Sequence, residues 1–335
     1  MRSTRHIINV LTKRLITKRL RHVPGGNDES RAVGPCAARA GIGGVAVTSA
    51  NETSIDGLAR DAAPADAILV LEGVEVRFGG VAALGGVDLT VPNGTVMGLI
   101  GPNGAGKTTL FDVISGVRTP DAGRVRFAGE DVTSASATAR ARRGIRRTFQ
   151  RVQTFGWLTV EDNVLAALEW RGGGGGMVAD IARLPSRRRR EKARRERATE
   201  VIEQCGLTAV RTDPVASLPI GLARMAELAR AIVDEPRLLL LDEPTSGLDE
   251  REAERVIEQM ERLKATGTCA VVIVEHDMGF VMEQCDAVAV LELGRVLATG
   301  TPHEIQESAL VRAAYLGDDT RGTQGLRVQH QGGMS

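Results

Sequence analysis

The sequence is poor in aromatic residues and has almost no net charge. Phe, Trp and Tyr make up only 3% of its 335 residues, so surfaces on which single-stranded nucleic acid could stack are scarce. It contains 43 Lys and Arg residues against 42 Asp and Glu residues, a formal net charge of +1. This balance provides no overall electrostatic attraction for nucleic acid.

The four cysteines, Cys36, Cys205, Cys269 and Cys285, have neither paired nor metal-ligand spacing. No disulfide framework or zinc site is therefore predicted, and a reducing compartment is expected. Long apolar runs are also lacking, because no segment approaches the roughly 18 to 20 residues that a membrane helix requires. We do not expect the chain itself to cross a bilayer.

The two ends differ in composition from the chain between them. The first 22 residues carry several Lys and Arg and no acid, and a Gly- and Ala-rich stretch follows up to residue 66. This segment is interpreted as a disordered basic extension or a misassigned start, and alternatively as a basic amphipathic helix on anionic lipid. The polar tail 317–335 is predicted to be disordered.

Strand and helix patterns alternate across residues 67–316 and predict an α/β fold. Continuous apolar runs at 94–100, 237–242, 269–275 and 287–293 indicate buried parallel strands, whereas ILVLEGVEVRF (68–78) and GVDLTV (86–91) alternate as antiparallel strands do. The pattern from about 137 to 233 is interpreted as helical, interrupted by a glycine loop at 172–176. Gly116 is expected to end a helix, and TPHE (301–304) to begin one with a capping box.

GPNGAGKT (101–108) matches the phosphate-loop pattern G-x-x-x-x-G-K-[ST] between a predicted strand and a predicted helix. Its glycines allow backbone N–H groups to surround a β-phosphate, and the helix N-terminus adds positive potential. Lys107 is expected to bridge the β- and γ-phosphates, and the Thr108 hydroxyl to bind Mg²⁺. The alternative, a simple glycine-rich turn, is disfavoured by the flanking strand and helix.

LLLLDEP (238–244) supplies the complementary carboxylates. Four apolar residues carry Asp242 to the end of a strand, where it can hold Mg²⁺ directly or through water. Glu243 points differently and can face an attacking water as general base. A surface acid pair is the alternative, and the phosphate loop upstream argues against it.

Together these motifs resemble the ATP-binding cassette (ABC) family over residues 68–316. RTFQ (147–150), LPIGLAR (218–224), SGLD (246–249) and VEHDM (274–278) follow in the family's order. The resemblance implies a P-loop ABC-type nucleotide-binding domain at 67–316, with an antiparallel β-subdomain and an inserted helical subdomain at about 151–233. It also implies ATP and Mg²⁺ as cofactors.

The resemblance assigns roles to individual residues. Nucleotide-binding residues are Phe78, Asn103, Gly104, Ala105, Gly106, Lys107, Thr108, Thr109, Gly221 and Asp249; catalytic residues are Glu243, His276 and Gln150; Mg²⁺-binding residues are Thr108, Gln150 and Asp242. Phe78 is expected to stack on adenine, although by itself it could also be a strand core residue. Asp249 is expected at a dimer seam.

The segment 218–222, here called the signature loop, departs from the family's L-S-G-G-Q. Pro219 lacks the hydroxyl and the N–H of a serine, and Ile220 replaces a glycine. Losing one hydrogen bond to a charged group costs roughly 1.5–3 kcal/mol. Since the signature loop of this family acts on the nucleotide of a partner cassette, the loss is expected at the partner's site.

Within the family, GIRRTFQRVQTFGWLTVEDNVLAAL (144–168) and GRVLATGTPHEI (294–305) look like the ATP-binding subunits of branched-chain amino acid importers. The implied partners are integral-membrane permeases, a second identical or related cassette and, indirectly, an extracytoplasmic solute-binding protein, but no nucleic acid. The implied location is the cytoplasmic face of the cell membrane. Alternatives are a soluble cassette ATPase acting on nucleic acid or ribosomes, and a regulatory subunit with little turnover.

Two surface features have open interpretations. Phe155, Trp157 and Leu158 either dock a cytoplasmic helix of a permease or pack in the core. The Arg-rich segment 186–207 is interpreted as a solvated helix face rather than a nucleic-acid site, because acids interleave with its bases at helical spacing.

Overall fold

The computed structural model describes residues 66–169 and 185–313, with the side chains of 185–188 excepted. The predictions for the N-terminal extension, the glycine loop and the C-terminal tail lie outside the described residues.

Within residues 66–169 and 185–313, ten strands form two sheets. The four-stranded antiparallel sheet has the order β2-β1-β4-β5 and consists of β1 (Ala67–Phe78), β2 (Val81–Pro92), β4 (Ala122–Phe127) and β5 (Glu130–Asp131). The six-stranded sheet has the order β10-β9-β3-β8-β7-β6 and consists of β3 (Val96–Ile100), β6 (Ile145–Arg147), β7 (Leu238–Asp242), β8 (Ala270–Val274), β9 (Ala287–Glu292) and β10 (Arg295–Gly300). Its strands are parallel except for the β9–β10 pair. The predicted α/β fold with an antiparallel part is confirmed.

Eight α-helices accompany the sheets in the described part of the chain. They are α1 (Lys107–Ser115), α2 (Ala137–Arg142), α3 (Val160–Ala167), α4 (Pro185–Gln204), α5 (Ile220–Ile232), α6 (Glu250–Ala265), α7 (Met278–Gln284) and α8 (Pro302–Glu307). Helices α3, α4 and α5 fall within the predicted helical range, and both α3 and α4 pack against α5. None of the described helices combines the length and apolar character needed to span a membrane.

The predicted helix ends are confirmed. Gly116 adopts a left-handed conformation, and its N–H bonds to the Val113 carbonyl at the end of α1. Thr301 and Glu304 form a reciprocal capping box at the start of α8, with Pro302 in the first turn. These local signals act within one turn of the chain, which is why the sequence specifies them.

The apolar runs of the central strands are continuous because both faces of the six-stranded sheet are covered. Leu238 and Leu240 belong to the core cluster shared with α1 and the antiparallel sheet, whereas Leu239 and Leu241 belong to the cluster shared with α5 and α6. This two-sided burial is what holds the carboxyl end of β7 in a fixed position.

The prediction that residues 137–233 are helical is wrong at one place. Residues Ile145–Arg147 form strand β6, which pairs in parallel with β7 at the edge of the six-stranded sheet. A strand of three residues is too short to show a period of two, and two of the three are arginines. This short strand places Arg147 next to the end of β7.

Candidate active site

The loop at 101–106 requires its glycines for close packing. Gly101 and Gly106 have positive φ, and a Cβ atom on them would lie 2.0 Å from the Leu291 carbonyl oxygen and 2.6 Å from the Ala83 carbonyl oxygen, respectively. The first turn of α1 has neither an acidic residue nor a capping side chain. Its N–H groups and the positive end of its dipole therefore suit an anion.

Lys107 is buried at the start of α1. Its Nζ donates to the carbonyl oxygens of Gly101 at 2.6 Å and Pro102 at 3.0 Å, which ties the side chain to the loop. Burial lowers the pKa of Lys107, while the charges of Glu243 and Asp242 act in the opposite direction. The ammonium group thus lies within the field of both carboxylates.

The other loop residues line the same turn. Asn103, Gly104 and Thr108 are exposed, Gly106 and Thr109 are partly buried, and Ala105 is buried. The Thr108 hydroxyl is therefore on the open side of the loop, whereas Ala105 packs in the core.

Asp242 ends β7 and contacts Arg147 on the neighbouring strand. Arg147 donates through Nη2 to Asp242 Oδ2 at 3.3 Å and through Nη1 to Asp112 Oδ1 at 2.5 Å. Burial raises the pKa of Asp242, and the guanidinium of Arg147 opposes that shift. Arg147 was not predicted from the sequence as a site residue, since its contact with Asp242 depends on strand β6.

The three predicted catalytic residues meet in space. Glu243 Oε1 lies 3.0 Å from His276 Nε2, and Glu243 Oε2 accepts from Gln150 Nε2 at 3.2 Å. Glu243 has a positive φ of 50° although it is not a glycine, and its N–H bonds to the Val274 carbonyl on β8 at 2.9 Å. Such a conformation persists where the surroundings fix it.

Arg224 on α5 is a second site residue that sequence analysis missed. Its Nη1 donates to the main-chain oxygen of Glu243 at 2.9 Å, and its Nη2 to that of Gln150 at 3.4 Å. Both acceptors belong to predicted catalytic residues. The sequence offered no local signal, because these contacts bridge 19 and 74 residues.

Phe78 lies at the end of β1 with 52% of its surface exposed. The interpretation of Phe78 as a strand core residue is therefore wrong. The Arg118 guanidinium carbon lies 3.9 Å from the centre of the ring. An exposed ring of this kind is available for stacking.

Gly221 and Asp249 are connected through one glutamate. Asp249 caps α6 in a capping box with Glu252, whose carboxylate also lies against Gly221 in the first turn of α5. A Cβ atom on Gly221 would be 1.9 Å from Glu252 Oε1. A side chain at this position would therefore displace the Glu252 carboxylate from its capping contact with Asp249.

The aromatic pair after Gln150 is only half in the core. Trp157 is 65% exposed, while Phe155 and Leu158 are partly buried; the rings of Phe155 and Trp157 have centroids 6.1 Å apart. Buried Asn163 holds this turn by accepting from the Phe155 N–H and donating to the carbonyls of Phe155 and Leu158.

Metal ligands are sparse in this site. In residues 66–169 and 185–313 no group of three or more His, Cys, Asp and Glu side chains could hold a metal ion. Asp242 and the exposed Thr108 hydroxyl are instead suited to an ion that keeps several waters and binds with a phosphate, as Mg²⁺ does. The residues therefore fit Mg²⁺ that arrives with a nucleotide.

A phosphate loop, a strand-end Asp-Glu pair and an inserted helical layer define a P-loop ATPase of the cassette type. Family models agree: one described as ABC transporter matches residues 84–246, and one described as branched-chain amino acid ATP-binding cassette transporter matches residues 295–320. The chain belongs to the ABC transporter family, as an ATP-binding, ATP-hydrolysing subunit. The resemblance inferred from the motifs is confirmed.

The matched part of this chain covers almost the whole length of its individual relatives. The high-affinity branched-chain amino acid transport ATP-binding protein BraF of Pseudomonas aeruginosa is 37% identical over 75% of this chain and 98% of its own. The lipopolysaccharide export system ATP-binding protein LptB of Escherichia coli strain K12 is 33% identical over 76% of this chain and 99% of its own. A crystal structure of the ADP conformation of an ABC transporter cassette has a TM-score of 0.63 and 29% identity, covering 75% of this chain and 99% of that one.

Proposed function

We propose that this chain powers a branched-chain amino acid importer by hydrolysing ATP at the cluster of Glu243, His276 and Gln150. The observation that carries the catalytic part is the placement of Glu243, whose two carboxylate oxygens contact the other two residues. A general base needs this kind of fixed orientation toward a water molecule.

The substrate class is supported by the C-terminal end rather than by overall identity. Identities of 37% to BraF and 33% to LptB are too similar to separate amino acid import from lipopolysaccharide export. The match of residues 295–320 to the branched-chain amino acid model favours import. The described part of this stretch contains β10 and the capped helix α8.

In this proposal the chain's own residues position the nucleotide. The N–H groups of the glycine loop, which includes Asn103, and of the first turn of α1, which includes Thr109, surround the phosphates. Lys107 bridges the β- and γ-phosphates. Phe78 stacks on adenine. Mg²⁺, held with ATP by Thr108, Gln150 and Asp242, would supply charge neutralisation at the transferred phosphate.

Glu243 would accept the proton of the attacking water, with Gln150 and His276 orienting the carboxylate. Arg147 holds Asp242, the proposed Mg²⁺ ligand, through an ion pair. Glu243, the proposed base, is held by a different contact, the hydrogen bond from Gln150. The carboxylate of Glu243 and the ammonium of Lys107 then act on the same phosphate from two directions.

The proposed assembly contains two cassettes and membrane permeases at the cytoplasmic face of the membrane, with a solute-binding protein as an indirect partner and no nucleic acid. Asp249 and the signature loop would face the second cassette. Gly221, the one glycine left in the signature loop, would contact the nucleotide bound by that cassette. The second cassette is either a copy of this chain or a related chain, and in both cases its signature loop must serve this chain's nucleotide. Trp157, which is exposed on the segment that follows Gln150, is proposed to contact a permease.

Reconstitution tests this function. The full chain is coexpressed with candidate permeases and a candidate second cassette from its own organism, purified, and placed in proteoliposomes with a candidate solute-binding protein. We expect ATP-dependent uptake of labelled leucine, loss of uptake in Glu243→Gln, and normal uptake in Glu258→Gln, an exposed residue of α6. ATP hydrolysis without uptake of any branched-chain amino acid would refute the substrate assignment.

A further inference from the structure

Helix α5 carries two charged residues, one turn apart, that both reach the main chain of the catalytic segments. The first is Arg224, which donates to the main-chain oxygens of Glu243 and Gln150. The second is Glu227, which is 4% exposed and accepts from the N–H of Gln153 at 3.0 Å. We call these two residues the α5 clamp.

The α5 clamp holds Gln150 and the segment that follows it. Burial raises the pKa of the Glu227 carboxyl group, whereas the hydrogen bond from the Gln153 N–H favours its ionised form. A carboxylate accepts such an N–H bond more strongly than a neutral group does. Gln150 and Gln153 are therefore both held from a single helix.

The same clamp also holds Glu243 from its main-chain side. The positive φ of Glu243 requires restraint from its surroundings, and its side chain is restrained by Gln150 and His276. Arg224 restrains the carbonyl, and the bond from the Glu243 N–H to Val274 restrains the opposite side. The Ser246 N–H also donates to this carbonyl, at 3.3 Å, so Arg224 is the shorter of two bonds that hold it and the one that ties it to α5.

We propose that Arg224 and Glu227 are positioning residues that make the placement of Gln150 and Glu243 depend on the placement of α5. This inference rests on the proposed role of Glu243 as the general base. Because α5 begins at Ile220, in the signature loop, Arg224 lies only one helical turn from that loop. A shift of the loop end of α5 is therefore transmitted to Glu243 through a rigid helix and one guanidinium.

The α5 clamp should affect turnover rather than nucleotide affinity. Lys107 is tied to Gly101 and Pro102, and the loop glycines pack against Leu291 and Ala83, so the phosphate loop has separate supports. Misplacing a reacting group by about 1 Å can cost roughly 100-fold in rate, whereas ground-state binding need not change.

The test uses the purified full chain, with ATPase kinetics, binding of fluorescent mant-ATP and thermal unfolding measured for each variant. We expect Arg224→Met and Glu227→Leu to lower kcat by about 10- to 100-fold, with the Kd for mant-ATP changed by less than about 2-fold. Glu227→Gln can still accept from the Gln153 N–H, and Arg224→Lys can still donate to one main-chain oxygen. These two variants should therefore retain more of the kcat than Glu227→Leu and Arg224→Met. They also keep the test decisive if the apolar variants do not fold.

Asn163→Leu is the matched control. Asn163 is also a buried polar residue that holds the main chain after Gln150, but it grips Phe155 and Leu158 and not Gln150 or Glu243. We expect it to lower the Tm without lowering kcat. An equal loss of kcat in this control would show that general loosening is enough, and would overturn the inference.

Two other outcomes are equally informative. Folded Arg224→Met and Glu227→Leu proteins with the kcat of the unmodified chain would overturn the inference while leaving the proposed function intact. If the unmodified chain binds mant-ATP but has no turnover, alone or with its permeases, the proposed function fails and the inference fails with it.

Discussion

Arg140 on α2 supports the phosphate-loop helix from its far end. Its side chain is fully buried, and the guanidinium donates to four main-chain oxygens, those of Val113 at 2.6 Å, Ile114 at 3.0 Å, Thr133 at 2.9 Å and Ala135 at 3.1 Å. Val113 and Ile114 lie in the last turn of α1. A cation there satisfies carbonyl groups at the helix end and interacts favourably with the helix dipole.

Arg140→Met removes all four bonds but keeps much of the buried apolar stem. The Val113 oxygen still accepts from the N–H of Gly116 at 3.2 Å, so the substitution leaves three carbonyl oxygens, those of Ile114, Thr133 and Ala135, without the hydrogen bond from Arg140. At about 1 to 1.5 kcal/mol for each, the free energy of unfolding falls by about 3 to 4.5 kcal/mol. For a folded domain of this size, that corresponds to a Tm lower by roughly 10 °C.

The assay is thermal unfolding of the full chain, with Arg142→Met as the control. Arg142 is on the same helix but is exposed, so its loss should change the Tm by less than about 2 °C. Arg140→Lys keeps the positive charge, but an ammonium group lacks the planar set of N–H donors with which the guanidinium reaches four carbonyls, so it should give an intermediate Tm. Equal Tm values for Arg140→Met and Arg142→Met would refute the assigned role.

Three further predictions concern the site and its surroundings. Glu243→Gln keeps the side-chain shape but removes the base, so we expect ATP turnover to fall by about 10²- to 10⁴-fold while mant-ATP still binds; unchanged turnover would exclude Glu243 as the base. Phe78→Ala removes the stacking surface, so affinity for ATP should fall by about 1–3 kcal/mol in titration calorimetry, with affinity for inorganic triphosphate unchanged; equal losses for both ligands would contradict stacking. The hydrogen bond from Arg211 lowers the pKa of Glu161 below its ordinary 4.5, so this contact contributes stability above about pH 4.5 that is lost as the pH falls through the lower, folded-state pKa. In urea unfolding, Glu161→Gln should be less stable than the unmodified chain at pH 7, and the difference should shrink toward acid; a constant difference would show that the pKa shift is not its cause.

The parts of the site that the sequence revealed are those fixed by local rules. Glycine spacing, a buried strand and a helix start are all read within about ten residues, which was sufficient for the loop around Lys107. The apolar run of β7 likewise required Asp242 and Glu243 to emerge at one end of a strand. The meeting of Glu243 with Gln150 and His276 followed only from the family resemblance, and the geometry of the fold now brings them together.

The parts that the sequence concealed depend on packing between distant segments. Arg147 reaches Asp242 across 95 residues because the unpredicted strand β6 lies beside β7. Arg224 and Glu227 were not predicted as site residues, because their contacts with the main chain of Gln150 and Gln153 exist only once α5 packs against that segment. Neither hydrophobic periodicity nor motif spacing predicts which main-chain groups a helix face contacts in the folded protein.

The altered signature loop is better understood once α5 is seen as a shared element. From sequence alone, Pro219 and Ile220 suggested weakened activity, yet Lys107, His276 and Gln150 come from other parts of the chain and keep their contacts. Pro219 precedes α5 without a side-chain cap, and Ile220 is 57% exposed, so the loop itself has little to hold an anion beyond the helix N-terminus. Gly221 lies against the carboxylate of Glu252, so a larger residue there would displace that carboxylate whatever the loop binds. Helix α5 therefore connects the loop to this chain's own Glu243, whereas the direct cost of the altered loop should fall on the nucleotide of the partner cassette.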